Sequence, residues 1–428
     1  MSLLWSILLA LLSLGAFAAA VYYSIVVRRV VITLTRTPRV RSGLAQAPTD
    51  ADLPSVCVIV PAHNEQRVVA TIVKSLLSQQ YPKLRIVFAL DRCTDQTRRI
   101  LEDTISADDR VEIIEIDNCP ADWAGKPHAL SVAAAQSSVA RESDMLLFVD
   151  ADTELDPLCV KAAVGLLLER KLDLLSLVST LSHRRWFERI VQPMTVIELM
   201  RQHPLYRVND DTNPRPFANG QFLLFRRTSY ESLGGHERVK DHLLEDIAFA
   251  RALKKDNGRW GVFLAGDMLR CAMYGTWESF RAGWKRISIE SAHRKPERLR
   301  QYARRMYVLY TVLPVIADVS LVVGAETVRN HPNRSAPFAI AAIALGVVGL
   351  GAWAAAMVLA YRTQGARVWS VLLSPIGAWL AADILNQAAD DLERNRPLTW
   401  GGKTYTNLMQ RPEVPGAGRA PDAPVDTL

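Results

Sequence analysis

Acidic side chains recur in this sequence where extended apolar runs stop. Met145-Leu-Leu-Phe-Val149 runs directly into Asp150-Ala-Asp152. On an extended segment side chains two apart point the same way, so Asp150 and Asp152 share a side. A hard divalent cation of the magnesium kind takes one or two protein oxygens and fills its shell with phosphate and water. An aspartate pair at a strand end therefore suits a metal ion that binds a diphosphate. Ser55–Val60 leads into His63-Asn-Glu65, Arg85–Leu90 into Asp91, and Val111–Ile116 into Asp117. A further acidic pair, Glu245-Asp246, lies between Leu243-Leu244 and Ile247, at the start of a helical pattern that continues through Leu253. The helix macrodipole favours carboxylates at that position whether or not they do chemistry.

The elements that must position these groups alternate. Strands are expected over Ser55–Val60, Arg85–Leu90, Val111–Ile116 and Met145–Val149. Helices are expected between them over Arg67–Gln80, Asp95–Ile105 and His128–Ser138, the first with Val68, Ile72, Leu76 and Leu77 on one face. Strand–helix alternation predicts a parallel sheet covered by helices on both faces. Ligands of such sheets sit at the carboxyl ends of the strands, where these acids gather. From Leu174 to Gly266 the pattern breaks into shorter elements.

At 428 residues the chain exceeds one ordinary core. Ser2 to Val27 carries no charge and is long enough to cross a bilayer. Arg28, Arg29, Arg36, Arg39 and Arg41 follow it, as on the cytoplasmic flank of a span. Met1–Ser6 has no basic residue, so an anchor is expected rather than a cleaved signal peptide. Three apolar stretches come later: Met306–Ala325, Ala336–Tyr361 and Val368–Leu385. Pro314 and Asp318 interrupt the first, Pro375 and Asp383 the last, so either is open to being tilted, broken or interfacial. With an outside N-terminus, three full C-terminal spans leave the tail outside, and a re-entrant element returns it inside. The net charge of +7 is concentrated beside apolar runs, at Arg28–Arg41 and Arg294–Arg305, which points to anionic lipid and not to nucleic acid. Five scattered cysteines (Cys57, Cys93, Cys119, Cys159, Cys271) form no C-x-x-C pair, which argues against a disulfide framework or zinc site. The Pro/Ala/Gly-rich tail after Pro412 is expected to be disordered. The expected division is an anchor over 1–30, a linker over 31–54, an α/β domain over 55–300, a membrane bundle over 301–390 and a tail over 391–428.

Five segments in order carry a resemblance. They are Val60-Pro61-Ala-His-Asn-Glu65, Ala89-Leu-Asp91-Arg-Cys-Thr-Asp95-Gln-Thr97, Gly125-Lys126-Pro-His-Ala-Leu130, Val149-Asp-Ala-Asp152 and Leu244-Glu245-Asp246. The series resembles the motifs of family-two glycosyltransferases with a GT-A fold, over roughly Ser55 to Arg286. The resemblance implies an inverting enzyme using a UDP-sugar. Pro61, Glu65, Asp91, Lys126 and Asp150 would then lie on the donor, with Asp91 and Glu65 at the uracil and ribose. Asp150 and Asp152 would hold Mg²⁺ or Mn²⁺. Asp246 would take the acceptor's proton, with Glu245 supporting it. Phe217-Ala-Asn-Gly220-Gln221-Phe222 resembles the family's segment beside the donor sugar, where Gly220 permits close backbone approach.

Related polysaccharide and ceramide-glucose synthases carry (Q/R)-x-x-R-W. Phe280-Arg-Ala-Gly-Trp284-Lys-Arg286 keeps the tryptophan and lacks both other residues, which weakens a processive polymer synthase reading. Together with Trp400-Gly-Gly-Lys403-x-Tyr405 it looks more like bacterial enzymes of carotenoid and hopanoid glycosylation. Two readings of Trp284 stay open, stacking on the donor or acceptor sugar and a place at the membrane interface. The implied activity is sugar transfer to a lipid or lipid-linked hydroxyl, at the cytoplasmic face of the inner (plasma) membrane, by a multi-pass protein. The rivals are a polysaccharide synthase and a non-catalytic membrane scaffold. Intact Asp91, Asp150, Asp152 and Asp246 speak against the scaffold.

Overall fold

The computed structural model describes residues 3–210, 216–330 and 336–406. The tail expected to be disordered lies outside the described residues. The chain forms two compact units, each built from separated stretches: 37–180, 207–273 and 391 onward in one, and up to Arg36, 181–206 and 274–390 in the other.

The first unit is built on a seven-stranded sheet. Its strands β1 (Val56–Ala62), β2 (Leu84–Asp91), β3 (Val111–Ile116) and β4 (Met145–Val149) pair in parallel in the order β3-β2-β1-β4. β1, β2 and β4, covered on both faces, read as near-continuous apolar runs, whereas the edge strand β3 carries Glu112 and Glu115. Alternation still sorts the side chains: Val56, Val58 and Val60 enter one core cluster, Cys57 and Ile59 the other. Ile72, Val73 and Leu76 of the Val69–Leu77 helix close the first face, and Ala129, Leu130 and Ala133 of the Gly125–Gln136 helix the second.

The sheet is not wholly parallel. Beyond β4 comes Phe222–Arg226, antiparallel to it with Val149 opposite Phe222, followed by Leu174–Val178 and Trp260–Leu264. The reversal sets the site. An antiparallel neighbour presents its beginning, not its end, to the carboxyl end of β4, so Asn219-Gly220-Gln221 arrives beside Asp150. The Asp150 N–H donates to the Gln221 carbonyl across 3.4 Å. Thr153–Leu155 pairs antiparallel with Leu269–Cys271, which sets Cys271 opposite Thr153, next to Asp152.

The second unit is helical. Leu3–Arg36, Pro296–Asn330, Pro337–Thr363 and Val368–Glu393 are each long and apolar enough to cross a membrane. A π-type turn over Val308–Val312 precedes Leu313-Pro314. Proline lacks the N–H that an α-helical ladder needs there, and a widened turn before it accommodates the loss. Small residues meet where three of the helices cross: Ala16 and Ala19 of the first, Ala317 of the second, Gly349 of the third. Close approach of this kind is how helices pack where lipid offers no hydrophobic gain.

Candidate active site

The site lies at the strand ends of the sheet unit. Asp91 closes β2 and is 3% exposed. Arg92 turns back on it with a positive φ of 49°, donating from Nε to Oδ1 at 2.8 Å and from Nη2 to Oδ2 at 2.7 Å. His63 Nδ1 lies 2.6 Å from the Asp91 carbonyl. Asn64 Oδ1 accepts from the N–H groups of Thr94 and Asp95, at 2.8 and 3.2 Å, locking the loops after β1 and β2 together.

Lys126, in the first turn of its helix, stands at the centre. Its ammonium is 2.6 Å from Asp150 Oδ1 and 2.6 Å from Glu245 Oε1, and donates to the Gly220 carbonyl at 3.3 Å. Asp246 accepts two backbone N–H groups, from Gly220 to Oδ2 at 2.6 Å and from Ile247 to Oδ1 at 2.7 Å. A Cβ on Gly220 would come within 3.1 Å of Asp246, 3.2 Å of Glu245 and 3.2 Å of Lys126, so the bare backbone lets three charged groups converge. Asp152 Oδ1 accepts from the Cys271 thiol at 3.3 Å, and that sulfur accepts from Gln221 Nε2 at 3.0 Å.

The charges are unbalanced. Asp150, Asp152, Glu245 and Asp246 share Lys126, and Glu65 adds a further carboxyl that feels Asp152 and Asp150. Burial, then the charge of Asp150, pushes Asp152 up to about 6. Burial, then Asp152 and Asp150, pushes Glu65 up to about 8. Burial, then Glu245, pushes Asp246 up to about 7. Burial also works against ionised Glu245, but the Lys126 ammonium outweighs it and holds that carboxyl low. Burial disfavours the Lys126 charge as well, and Asp150 with Glu245 more than restores it. A site with surplus carboxylate suits a dication. Among the described residues no three His, Cys, Asp or Glu side chains are grouped as a metal cage. Asp150 and Asp152 offer two oxygen-bearing groups, the complement that a phosphate-sharing Mg²⁺ or Mn²⁺ uses.

Most of the residues singled out from sequence therefore meet here: Glu65, Lys126, Asp150, Asp152, Gly220, Glu245 and Asp246 around one point, with Asp91 at the neighbouring strand end. Pro61 lies within β1, opposite Ala89. Gln221 is buried, its Oε1 taken by Asn219 Nδ2 at 3.0 Å and the Ser179 hydroxyl. Trp284 belongs to the helical unit, where it is 3% exposed.

Arg92 and Cys271 escaped sequence reasoning, and the C-terminal hairpin of Leu398–Trp400 and Lys403–Tyr405 was noted only for its family resemblance, not as part of the site. The Gly401 carbonyl accepts from Arg92 Nη2 at 3.1 Å. Lys403 donates to the carbonyls of Pro120 at 2.6 Å, Ala121 at 3.0 Å and Trp123. The Tyr405 hydroxyl accepts from the Gly125 N–H at 3.2 Å. Gly402 has φ +68°, and a Cβ there would fall 2.5 Å from the His63 ring. The Trp-Gly-Gly-Lys-x-Tyr pattern was the available signal, but nothing in it names Arg92 or Gly125 as partners.

A sheet that delivers an Asp-x-Asp pair, an ammonium and a separate acidic pair to its strand ends is the GT-A arrangement of nucleotide-sugar enzymes. The chain belongs to the family described as Glycosyltransferase like family 2, whose profile matches residues 54–307. It is similar to 4,4'-diaponeurosporenoate glycosyltransferase of Staphylococcus aureus, with 25% identity over 250 residues. That match covers 57% of this chain and 63% of the relative's length. Among solved structures it is similar to the mannosyltransferase PcManGT of Pyrobaculum calidifontis in complex with GDP-Man and Mn²⁺. Identity there is 18%, the TM-score 0.47, and coverage 92% of this chain and 99% of the other. It is also similar to Staphylococcus aureus TarS in complex with UDP-GlcNAc, at 15% identity, a TM-score of 0.39, and coverage of 83% and 97%.

Proposed function

We propose that this chain transfers one sugar from a UDP-sugar to a hydroxyl of a lipid or lipid-linked acceptor, with inversion, at the cytoplasmic face of the plasma membrane. The observation that carries the reading is the convergence of Asp150, Lys126, Glu245 and Asp246 at Gly220. Donor-holding and proton-accepting groups then act on one substrate. Asp150 and Asp152 would hold Mg²⁺ or Mn²⁺, which when bound supplies Lewis-acid stabilisation to the departing diphosphate. Lys126 adds a second positive charge on the donor side. Glu245 keeps that ammonium in place, and Asp246 takes the proton as the acceptor oxygen attacks. A lone base matches a single displacement, which inverts the anomeric centre. The four apolar helices and the carotenoid-acid acceptor in the Staphylococcus aureus relative's name favour a lipid acceptor. The test is extraction of lipids from cells with and without the protein, followed by incubation of the membrane-reconstituted chain with labelled UDP-sugars. A sugar-shifted lipid of inverted configuration is expected. Products carrying many sugars per binding event would favour a polymer synthase, and no transfer to any lipid with any UDP-sugar would sink the proposal.

The topology proposed with it places the sheet unit, Thr37–Thr180 and Arg207–Met273 with the hairpin, in the cytoplasm. The arginines after Val27 support the first part. Support for the second comes from connectivity, because the hairpin is bonded to Arg92, Gly125 and Trp123 within one compact unit. A compact polar unit does not straddle a bilayer, so the chain between Met273 and Asp391 crosses an even number of times. The pair Leu313–Asn330 and Ala336–Thr363 then crosses, and Val368–Glu393 lies in the interface. Exposed Trp369, Leu372, Ile376 and Trp379 suit that position. Reporters placed after Arg41 and after Glu393 are expected to read the cytoplasm alike. Opposite sides for the two would overturn this topology.

A further inference from the structure

The start of a helix leaves N–H groups without helical partners, and a serine, threonine or aspartate just outside usually takes one of them. The Gly125–Gln136 helix, whose first turn carries Lys126, begins after Ala124, which has no side-chain oxygen to offer. The segment before it, 117–124, forms no helix or strand of its own. Lys126 must nevertheless meet Asp150 and Glu245 at 2.6 Å each. The local sequence supplies little to hold that first turn in place.

The C-terminal hairpin supplies it. The Tyr405 hydroxyl accepts from the Gly125 N–H at 3.2 Å, taking one of the groups a cap would take. An ammonium has three protons to donate, and Lys403 turns its own on the carbonyls of Pro120 at 2.6 Å, Ala121 at 3.0 Å and Trp123. One charged group thereby folds the approach to the helix around itself, through bonds about twice as strong as neutral ones. The hairpin tip reaches the other two loops of the site. Gly401 and Gly402, at φ +55° and +68°, make the tight two-residue turn that paired strands favour. The Gly401 carbonyl takes Arg92, which grips Asp91, and Gly402 lies against the His63 ring. A Cβ on Gly125 would come within 3.4 Å of the Gly401 carbonyl and 3.6 Å of Asp91 Oδ2, so helix start, hairpin and Asp91 meet. Strands of three residues do not make a hairpin that stands alone, so hairpin and loops order one another. These bonds fall on the loops that carry Asp91 and Lys126, where a plain fastening of the chain end has no need to be.

We propose that Lys403 and Tyr405 are positioning residues for the donor. They fix the first turn of the Gly125–Gln136 helix, and through Lys126 the site that takes a nucleoside diphosphate. What Lys126 meets there rests on the transferase reading above; the hold on its helix does not.

The test uses the full chain in detergent, with calorimetry of UDP and GDP binding and amide hydrogen exchange over residues 120–128. Lys403→Met and Tyr405→Phe keep bulk while removing the donors and the acceptor. Exchange over 120–128 should speed up in both, with no nucleotide present. UDP should bind about tenfold more weakly to Lys403→Met and about fivefold more weakly to Tyr405→Phe, the scales of a charged hydrogen bond and of a helix cap. The loss should appear in donor KM more than in kcat, and Lys403→Arg should recover part of it. In a Lys126→Met background neither change should weaken UDP further, because both act through that ammonium. Should Lys403→Met fail to fold, Tyr405→Phe carries the test, since it removes a single oxygen. Unchanged exchange and unchanged UDP affinity in the folded variants would overturn the proposal. A fall confined to kcat or to the folded fraction would make the hairpin a structural fastening, and losses that add to Lys126→Met would mean it acts by another route. GDP held in place of UDP, with the same dependence, would correct the donor and leave this role standing. UDP held as described, with no sugar transfer, would fail the transferase reading alone. Transfer undiminished in both variants at limiting donor would fail the positioning role alone.

Discussion

Asp152→Ala is expected to cut sugar transfer at least about a thousandfold while the protein stays folded and in the membrane. The size follows from the metal's proposed role, because Lewis-acid stabilisation of a leaving diphosphate is worth several kcal/mol and each 1.4 is about tenfold. The fold should survive for reasons visible locally. The Asp152 carbonyl accepts from the Ala272 N–H at 2.9 Å, a bond that alanine keeps. The side chain contributes a carboxylate that burial and Asp150 already disfavour, so its loss relieves repulsion. Only the Cys271 thiol loses an acceptor, a weak bond at 3.3 Å. The measurements are initial rates across a Mn²⁺ titration and a thermal melt of each form. Full turnover of the variant in EDTA would remove the metal assignment.

Asp246→Asn should lower turnover about a hundredfold or more, the usual scale for a general base, with UDP affinity nearly unchanged. Asparagine matches the aspartate in size but turns one acceptor into a donor. Either the Gly220 or the Ile247 N–H then loses its partner, at a cost in stability of about 1–3 kcal/mol. The pH profile separates loss of the base from that structural cost. Asp246 must be deprotonated to accept a proton, and its pKa is pushed up to about 7. The wild-type rate should therefore fall as pH drops through about 7, and the residual rate of the variant should lack that limb. Glu245→Gln should be milder and should move the limb to lower pH, because the charge of Glu245 is the second cause of the raised value. If Asp246→Asn works normally and Glu245→Gln is dead, the base is Glu245. If neither matters, the segment does not carry the base.

The four parallel strands and their acids were legible because each is a short β-rich run with a polar, carboxylate-bearing stretch at or just past its end. β3 and β4 have the bounds read from sequence, β2 extends that reading by one residue at each end, and β1 starts one residue later and ends two residues later. The antiparallel Phe222–Arg226 strand was not legible, since direction leaves no mark in a five-residue apolar run. The family resemblance set Gly220 beside the donor sugar, but its contact with Asp246 follows from the antiparallel strand and was not read. Arg92 was hidden for another reason. Its value lies in a positive φ that folds it onto its own neighbour, and arginine carries no sequence sign of that conformation. Lys126 was named as a donor-side cation, yet its bridge between Asp150 and Glu245 joins residues far apart in sequence, which no local pattern encodes.

The hairpin at Leu398–Tyr405 has a consequence for biogenesis. Tyr405 reaches the N–H of Gly125 across 280 positions of chain, and every apolar helix after the sheet lies between them. A ribosome releases that hairpin only after the last of those helices has emerged. The sheet can fold earlier, but Arg92, His63 and the 120–125 loop receive their final partners late. A nascent chain stalled during insertion thus holds an edge of the candidate site that is still open, and completion of the apolar helices becomes a precondition for a finished site.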